Sequence, residues 1–379
     1  MKSLLSNFFH HSAQTHSDTR SVKRKQLFPD RFLLFAILLL ALTGILMVYD
    51  SSVAIAIRDF SNQYYYAQEQ FKWLCVGILA MWIVSFIDYH RYYNVALPIL
   101  LVTIFFLLLV FVPGMGVRAL GAHRWVNLRI INFQPAELAK LSLILYLSAW
   151  FSLKEKGRFG AFLLLLGMVL GLVILEPDLG TGIIILAIAL TMYFLSGAPV
   201  SQFLVLLPVL AVGGLGLAVV SPYRFRRLMT FLNPESDPLG ASYQIRQALL
   251  ALGSGNWFGL GIGKSLQKYE YLPEANTDSI FAIVGEEVGF IGCAAVIGLF
   301  LFLVWRGFRI AKRAPDIFGQ LMAFGISSWV GIQVAVNLAA MVALIPLTGV
   351  PLPFISYGGS SLVIILIAMG ILLNISKQI

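Results

Sequence analysis

The chain has 379 residues, 59% of them hydrophobic and 12% charged, with a mean hydropathy of +0.85. A soluble chain of that length has too little interior to hide so much apolar surface. Runs approaching the ~18–20 residues that cross a bilayer point to an all-α polytopic membrane protein, since a β-barrel would show short alternating segments. The formal net charge is +9, but the basic residues are scattered between apolar runs. That pattern suits anionic headgroups or a phosphorylated lipid and argues against nucleic acid.

Residues 1–31 are polar, carry KRK at 23–25, and read as a cytoplasmic tail. The apolar run starting near Phe32 has no small-residue cleavage site and reads as an anchor. About ten spans follow, near 32–52, 69–87, 93–112, 135–152, 159–175, 179–196, 200–220, 281–304, 318–344 and 359–376, forming one transmembrane domain over 32–379. Cys75 and Cys293 both fall inside apolar runs, so no structural disulfide is expected, and no Cys/His metal spacing exists. An even span count puts both termini on one side. KRK 23–25, Arg91, KEKGR 154–158 and RGFRIAKR 306–313 share that side, which the positive-inside rule makes cytoplasmic. The opposite side is basic too. Arg118, Arg124 and Arg129 share one loop, and Arg224, Arg226, Arg227, Arg246, Lys264 and Lys268 lie in the extracytoplasmic loop 221–280 between spans seven and eight. Long loops translocate regardless of charge; alternatively these residues bind an anion outside.

Five motifs concentrate the polar residues. In GAHRWVNLRIINFQPAELAK, 121–140, Pro135 suits a first helical turn, and Glu137 and Lys140 at i, i+3 can pair, as a structural ion pair or as the wall of a polar cavity. EPDLGTG, 176–182, places Glu176 and Asp178 in a hairpin between apolar runs, where ionisable groups usually face a cavity; Asp178 could equally cap a helix. Lys72 is a candidate partner for either acid, or it snorkels. The segment from YRFRRLMTFLNP, 223–234, to Lys268 holds a glycine-rich run, but a phosphate loop ending at Gly263-Lys264-Ser265 needs glycine where Phe258 stands. Its glycines suit re-entrant turns and close backbone approach. In YLPEANTDSIFAIVGEEVG, 271–289, Asp278 precedes an apolar helix as an N-cap would; Glu286 and Glu287 either pair with loop arginines or pin helix packing. PLTGVPLPFISYGGSS, 346–361, breaks the helix between spans nine and ten and suits one wall of a site.

These motifs, in this order over roughly residues 30–377, resemble those of the SEDS (shape, elongation, division and sporulation) family, with KSLQKYEYLPEANTD closer to the FtsW division type than to the RodA elongation type. The resemblance implies an inverting peptidoglycan glycosyltransferase of the bacterial inner membrane. Such enzymes polymerise lipid II at the outer face and work with a class B penicillin-binding transpeptidase and other division proteins. The family position matching Asp278 is the catalytic carboxylate. Asn276 stands where His is usual, Ser279 where Phe is usual and Asn256 where Gly is common; a neutral amide at 276 cannot titrate near neutral pH.

The implied reaction asks for a base on the acceptor hydroxyl and fixed cations for the leaving pyrophosphate. Asp278 is the candidate base. Arg124, Arg224 and Arg226 are the candidate cations, with Lys72, Lys140 and Lys268 as weaker ones; a divalent cation could contribute, although the sequence shows no metal cage. A lipid II flippase would instead use Glu137, Glu176 and Asp178 as a path through the membrane, and a scaffold would not require Asp278. The clustering of charged motifs on one side favours the enzyme.

Overall fold

The structure, a computed structural model, describes residues 29–119, 122–127, 132–153, 157–220, 222–233 and 242–379. The KRK tail, Arg129 and positions 154–156 lie outside those residues, as do the side chains of Arg118 and Arg224.

Each of the ten apolar runs is a helix: α1 (Arg31–Phe60), α2 (Tyr65–Phe86), α3 (Arg91–Leu109), α4 (Pro135–Phe151), α5 (Phe159–Leu175), α6 (Leu179–Leu195), α7 (Val200–Val220), α10 (Ile280–Arg313), α11 (Ile317–Met341) and α12 (Gly359–Ser376). The long loop between α7 and α10 contains two further helices, α8 (Pro222–Leu232) and α9 (Tyr243–Ser254). Six helices, α1, α2, α3, α10, α11 and α12, are long and apolar enough to cross a membrane, and α5, α6 and most of α7 are shorter apolar helices. The all-α polytopic architecture holds, with one small addition to the sequence expectation. The loop before α4 forms a small antiparallel sheet in the order β1 (Gly116–Ala119), β2 (Ala122–Asn127) and β3 (Asn132–Phe133). It pairs Val117 with Trp125 and Val126 with Phe133.

Helix starts follow local chemistry. Asp30 accepts from the amides of Phe32 and Leu33 at the head of α1, and Asp316 accepts from Gly319 N at the head of α11. Pro135 opens α4, with Glu137 in its first turn. In the interior, α11 contacts α4, α6 and α10, and α12 lies along α2.

Helix α10 is broken at Gly289, whose φ of 68° is left-handed. The break frees backbone groups, and the glycine-rich loop takes them up. Leu260 N donates to Glu286 O at 2.9 Å and Gly261 N to Glu287 O at 3.0 Å, while Phe290 N donates to Asn256 O at 2.8 Å. A Cβ on Gly289 would collide with the backbone of Phe258 and Gly259, so these glycines serve close backbone approach, as their spacing suggests.

The carboxylates just before the break hold the next stretch of loop. Glu286 accepts from Leu266 N at 3.1 Å and from the Ser265 hydroxyl, and Glu287 accepts from Ser265 N at 3.0 Å. Lys268 is buried between Asp50 of α1 (2.8 Å) and Glu287 (3.0 Å). Glu286 and Glu287 therefore pin packing and pair with no arginine among the described residues. Lys268 is committed to an internal ion-pair cluster and is withdrawn as a substrate ligand.

The start of α1, the α2–α3 and α10–α11 turns and the end of α12 meet at one end of the bundle. Arg306 pairs with Asp30, Asp30 N donates to Ser376 Oγ (3.1 Å), and Gln378 reaches Asp88 (3.2 Å). His90 bridges Asp88 (2.7 Å) and Asp316 (3.2 Å).

Gly289→Ala should lower the thermal unfolding midpoint of the purified protein, because left-handed backbone costs about 1–2 kcal/mol for a non-glycine residue before the collision is counted. Gly298→Ala, in the same helix with nothing within 4 Å of the added carbon, should leave the midpoint unchanged. Lys268→Met should destabilise by about 3–5 kcal/mol, since it strands buried carboxylates, and a denaturation series on the two proteins measures this. A stable Lys268→Met protein that fails only in substrate binding would restore the ligand reading.

Candidate active site

Asp278 sits between the glycine-rich loop and α10. The N-cap position of α10 belongs to Ser279, which makes no side-chain capping bond. The Asp278 carboxylate instead has Gln244 Nε2 of α9 at 3.5 Å and lines a cavity of about 220 Å³. The capping expectation for Asp278 is thereby overturned.

The segment leading to Asp278 is held by backbone carbonyls that cannot be left unpaired in a buried place. Asn337 Nδ2 of α11 donates to Asp278 O at 2.8 Å, Ser356 Oγ to Thr277 O at 2.5 Å and Tyr357 N to Asn276 O at 2.9 Å. The irregular stretch between α11 and α12 is satisfied in the same way. Asn337 Nδ2 also donates to Val350 O (2.8 Å), Gln333 Nε2 to Pro351 O (2.9 Å) and Gln70 Nε2 to Ser356 O (3.2 Å). Thr348, Gly349, Pro351 and Tyr357 line the cavity, so this stretch is the wall that the motif suggests.

Burial pushes the Asp278 carboxyl up to about 7; the charge of Glu274 adds to the rise and the Arg227 guanidinium opposes it. Arg227 and Glu274 both line the cavity. Arg227 Nη1 donates to Leu347 O at 2.8 Å, and the Glu274 carboxylate accepts from Thr277 Oγ1 at 2.7 Å.

Across the cavity stand Arg124, Gln134, Glu137 and Asp178. Arg124 Nη2 donates to Pro177 O at 2.6 Å, which ties β2 to the α5–α6 hairpin. Asp178 caps α6 by accepting from Thr181 N (3.1 Å), and Gln134 Nε2 donates to it at 3.2 Å; the capping and cavity readings of this residue both hold. Glu137 and Lys140 pair at 2.7 Å, and Lys140 Nζ also donates to Gln333 Oε1 at 3.0 Å. The pair thus braces the Gln333 that holds Pro351. Lys140 is buried and structural, while Glu137 Oε2 is buried without a partner. Glu176 is fully buried with neither oxygen hydrogen-bonded. Burial and the Asp178 charge raise it to about 9, against Arg124. Among the described residues no three His, Cys, Asp or Glu side chains converge as a cage for a divalent cation.

Lys72 and Arg226, like Lys140 and Lys268, do not line the cavity. Lys72 is exposed and pairs with Glu69 at 2.7 Å, so it meets neither Glu176 nor Asp178. Arg226 is exposed on α8, one position from the half-buried Arg227 that does line the cavity. The helical period of 222–232 separates them: Arg227 and the buried Thr230 are i, i+3 on the inner face. Treating this stretch as loop hides that distinction. Gln244 and Glu274 are the other site residues that motif reading passes over.

The geometry can therefore perform base chemistry at Asp278 beside guanidinium groups on two walls. The most informative likenesses are these. Stage V sporulation protein E of Bacillus subtilis is 40% identical over 360 residues, which cover 93% of this chain and 98% of that protein. A probable peptidoglycan glycosyltransferase FtsW of Geobacter sp. (strain M18) is 40% identical over 358 residues, covering 92% and 97%. Among solved structures, one chain comes from work on the structural coordination of polymerization and crosslinking by a peptidoglycan synthase complex. It superposes with TM-score 0.77 at 29% identity over 92% of this chain and 98% of that one. The Thermus thermophilus rod shape determining protein RodA gives TM-score 0.68 at 28% identity over 92% and 97%. The family model for cell cycle proteins of the FtsW/RodA/SpoVE type matches residues 30–379, and the chain belongs to that family.

Proposed function

We propose that this protein is a peptidoglycan glycosyltransferase of the division type, which polymerises lipid II with inversion at the outer face of the bacterial inner membrane. The observation that carries this reading is a buried carboxylate, raised toward neutrality, facing guanidinium groups across a cavity at one end of a membrane-embedded helix bundle. On this reading all ten apolar helices cross the membrane, both termini are cytoplasmic and the cavity opens outside, where the flipped substrate is found. The naming of relatives as peptidoglycan glycosyltransferases supports the activity. The likeness to a chain of a synthase complex supports a cross-linking transpeptidase as partner.

In the proposed step Asp278 accepts the proton of the acceptor 4-hydroxyl as that oxygen attacks the donor's anomeric carbon. The bond to the pyrophosphate oxygen breaks on the opposite face. A carboxylate near pKa 7 is a far better base than one in water and is still about half ionised at neutral pH. Arg227 and Arg124, each anchored by a backbone carbonyl, are pre-positioned for the charge that develops on the pyrophosphate. Glu137 Oε2, lacking an internal partner, is free to accept from a sugar hydroxyl.

Asp278→Asn should cost a factor of about 10²–10⁴ in lipid II polymerisation while the unfolding midpoint stays near wild type; an amide variant of near-normal turnover would remove Asp278 as the base. Arg227→Ala should reduce turnover well beyond Arg226→Ala, and equal losses would contradict the placement of the pyrophosphate beside Arg227. The base works deprotonated, so activity should fall as pH drops through about 7. Removing a neighbouring negative charge eases ionisation. The acidic limb should therefore move to lower pH in Glu274→Gln, and a pH–rate series on both proteins reads this directly.

A further inference from the structure

At the opposite end of the bundle, the start of α1, the last turns of α10 and the end of α12 enclose a cavity of about 460 Å³. That is within the ~300–1,000 Å³ range of small-molecule sites. Arg31, Arg306, Arg309 and Arg313 line it, with Asp30 as the lining acid. Arg306, Arg309 and Arg313 are spaced i, i+3 and i+7 and so share one face of α10.

Two of the arginines, Arg309 and Arg313, are not taken up by the lining acid. Asp30 is already used twice: Oδ1 accepts the first amides of α1, and Oδ2 pairs with Arg306. Arg306 still has a buried Nε with no partner. Arg309 and Arg313 are exposed and make no ion pair among the described residues. Arg309 and Arg313, beside an Arg306 whose carboxylate partner is already engaged, present the donors that a phosphate would need.

The surroundings identify the carrier of that phosphate. Phe32 and Trp305 flank the arginines and are 64% and 53% exposed. Arg306 lies over both rings, at 5.2 and 5.7 Å, and Arg309 lies over Trp305 at 5.5 Å. Exposed Phe35 and Leu301 continue the apolar surface one turn further along α1 and α10. Tryptophan and arginine at this level mark the membrane interface, and a headgroup phosphate in the cavity would have its acyl chains against Phe35 and Leu301. A free anion would gain nothing from that surface.

We propose that this cavity binds the headgroup phosphate of an anionic phospholipid in the leaflet on the side of the chain termini. The site is separate from the glycan-forming cavity at the other end of the bundle, so its occupancy would tether and orient α1, α10 and α12 without touching Asp278.

The test is native mass spectrometry of the full-length protein in detergent. The protein is titrated with phosphatidylglycerol, phosphatidylcholine and inorganic phosphate, and compared with Arg309→Gln/Arg313→Gln and with the control Arg91→Gln/Lys312→Gln. The control removes the same charge from the same end of the molecule. Phosphatidylglycerol should bind preferentially, and the Arg309/Arg313 variant should lose about tenfold or more in affinity, the scale of two basic residues at a headgroup, while the control retains it. Equal retention of phosphatidylcholine, an equal loss in the control, or displacement of the lipid by inorganic phosphate at low millimolar concentration would each overturn the proposal. The first two mean diffuse attraction, and the third means a free-anion site.

Discussion

Asn276 and Asp278 are buried in the protein, and the carbonyls of Asn276, Thr277 and Asp278 each find a donor. The donors come from the broken stretch between α11 and α12 and from Asn337 of α11. These bonds fix Asp278 more firmly than its own side chain does, since the carboxylate's side-chain partner among the described residues is Gln244, at a long 3.5 Å. A carboxylate held through its backbone keeps its oxygens available. The same economy appears at Arg124 and Arg227, each of which donates to a backbone carbonyl, Pro177 O and Leu347 O, that fixes its guanidinium at the cavity.

The glycine break in α10 supplies the second constraint. A continuous helix would have no free groups to hold residues 256–261, and the loop that delivers Asp278 would be tied down only by side chains. With the break, the backbone of α10 and the Glu286, Glu287, Lys268 and Asp50 cluster clamp the loop from 256 to 268. Charged residues deep in a membrane protein are costly unless paired. Here they are paired with each other and with backbone amides, and so act as structure. The acids left without partners, Glu137 Oε2 and Glu176, lie near the cavity instead.

Much of this was legible in the sequence because it depends on local pattern. Apolar run length gave a helix for every expected span; Pro135, Asp178 and the Glu137–Lys140 spacing behaved as their chemistry dictates; and the proline- and glycine-rich stretch 346–361 formed a wall. What escaped depends on which side chain meets which in space. Lys72 and Lys268 carry the right charge for a pyrophosphate site, but each is consumed by carboxylates that sequence spacing does not bring near, or brings near only on one helix face. Arg226 and Arg227 differ by one position, and only the helical phase of α8 decides which is inside. The small sheet before α4 escaped because its strands are short and one is only two residues long.

The central claim is that Asp278 is a buried carboxyl poised to ionise near neutral pH while facing cations. Isotope-edited difference infrared spectroscopy, comparing wild type with Asp278→Asn across a pH series, isolates the carboxyl band of this residue. The account predicts a protonated band that disappears with a midpoint near pH 7. A midpoint near the ordinary carboxylate value of about 4 would show an ion-paired or solvated Asp278, and the base assignment would fail.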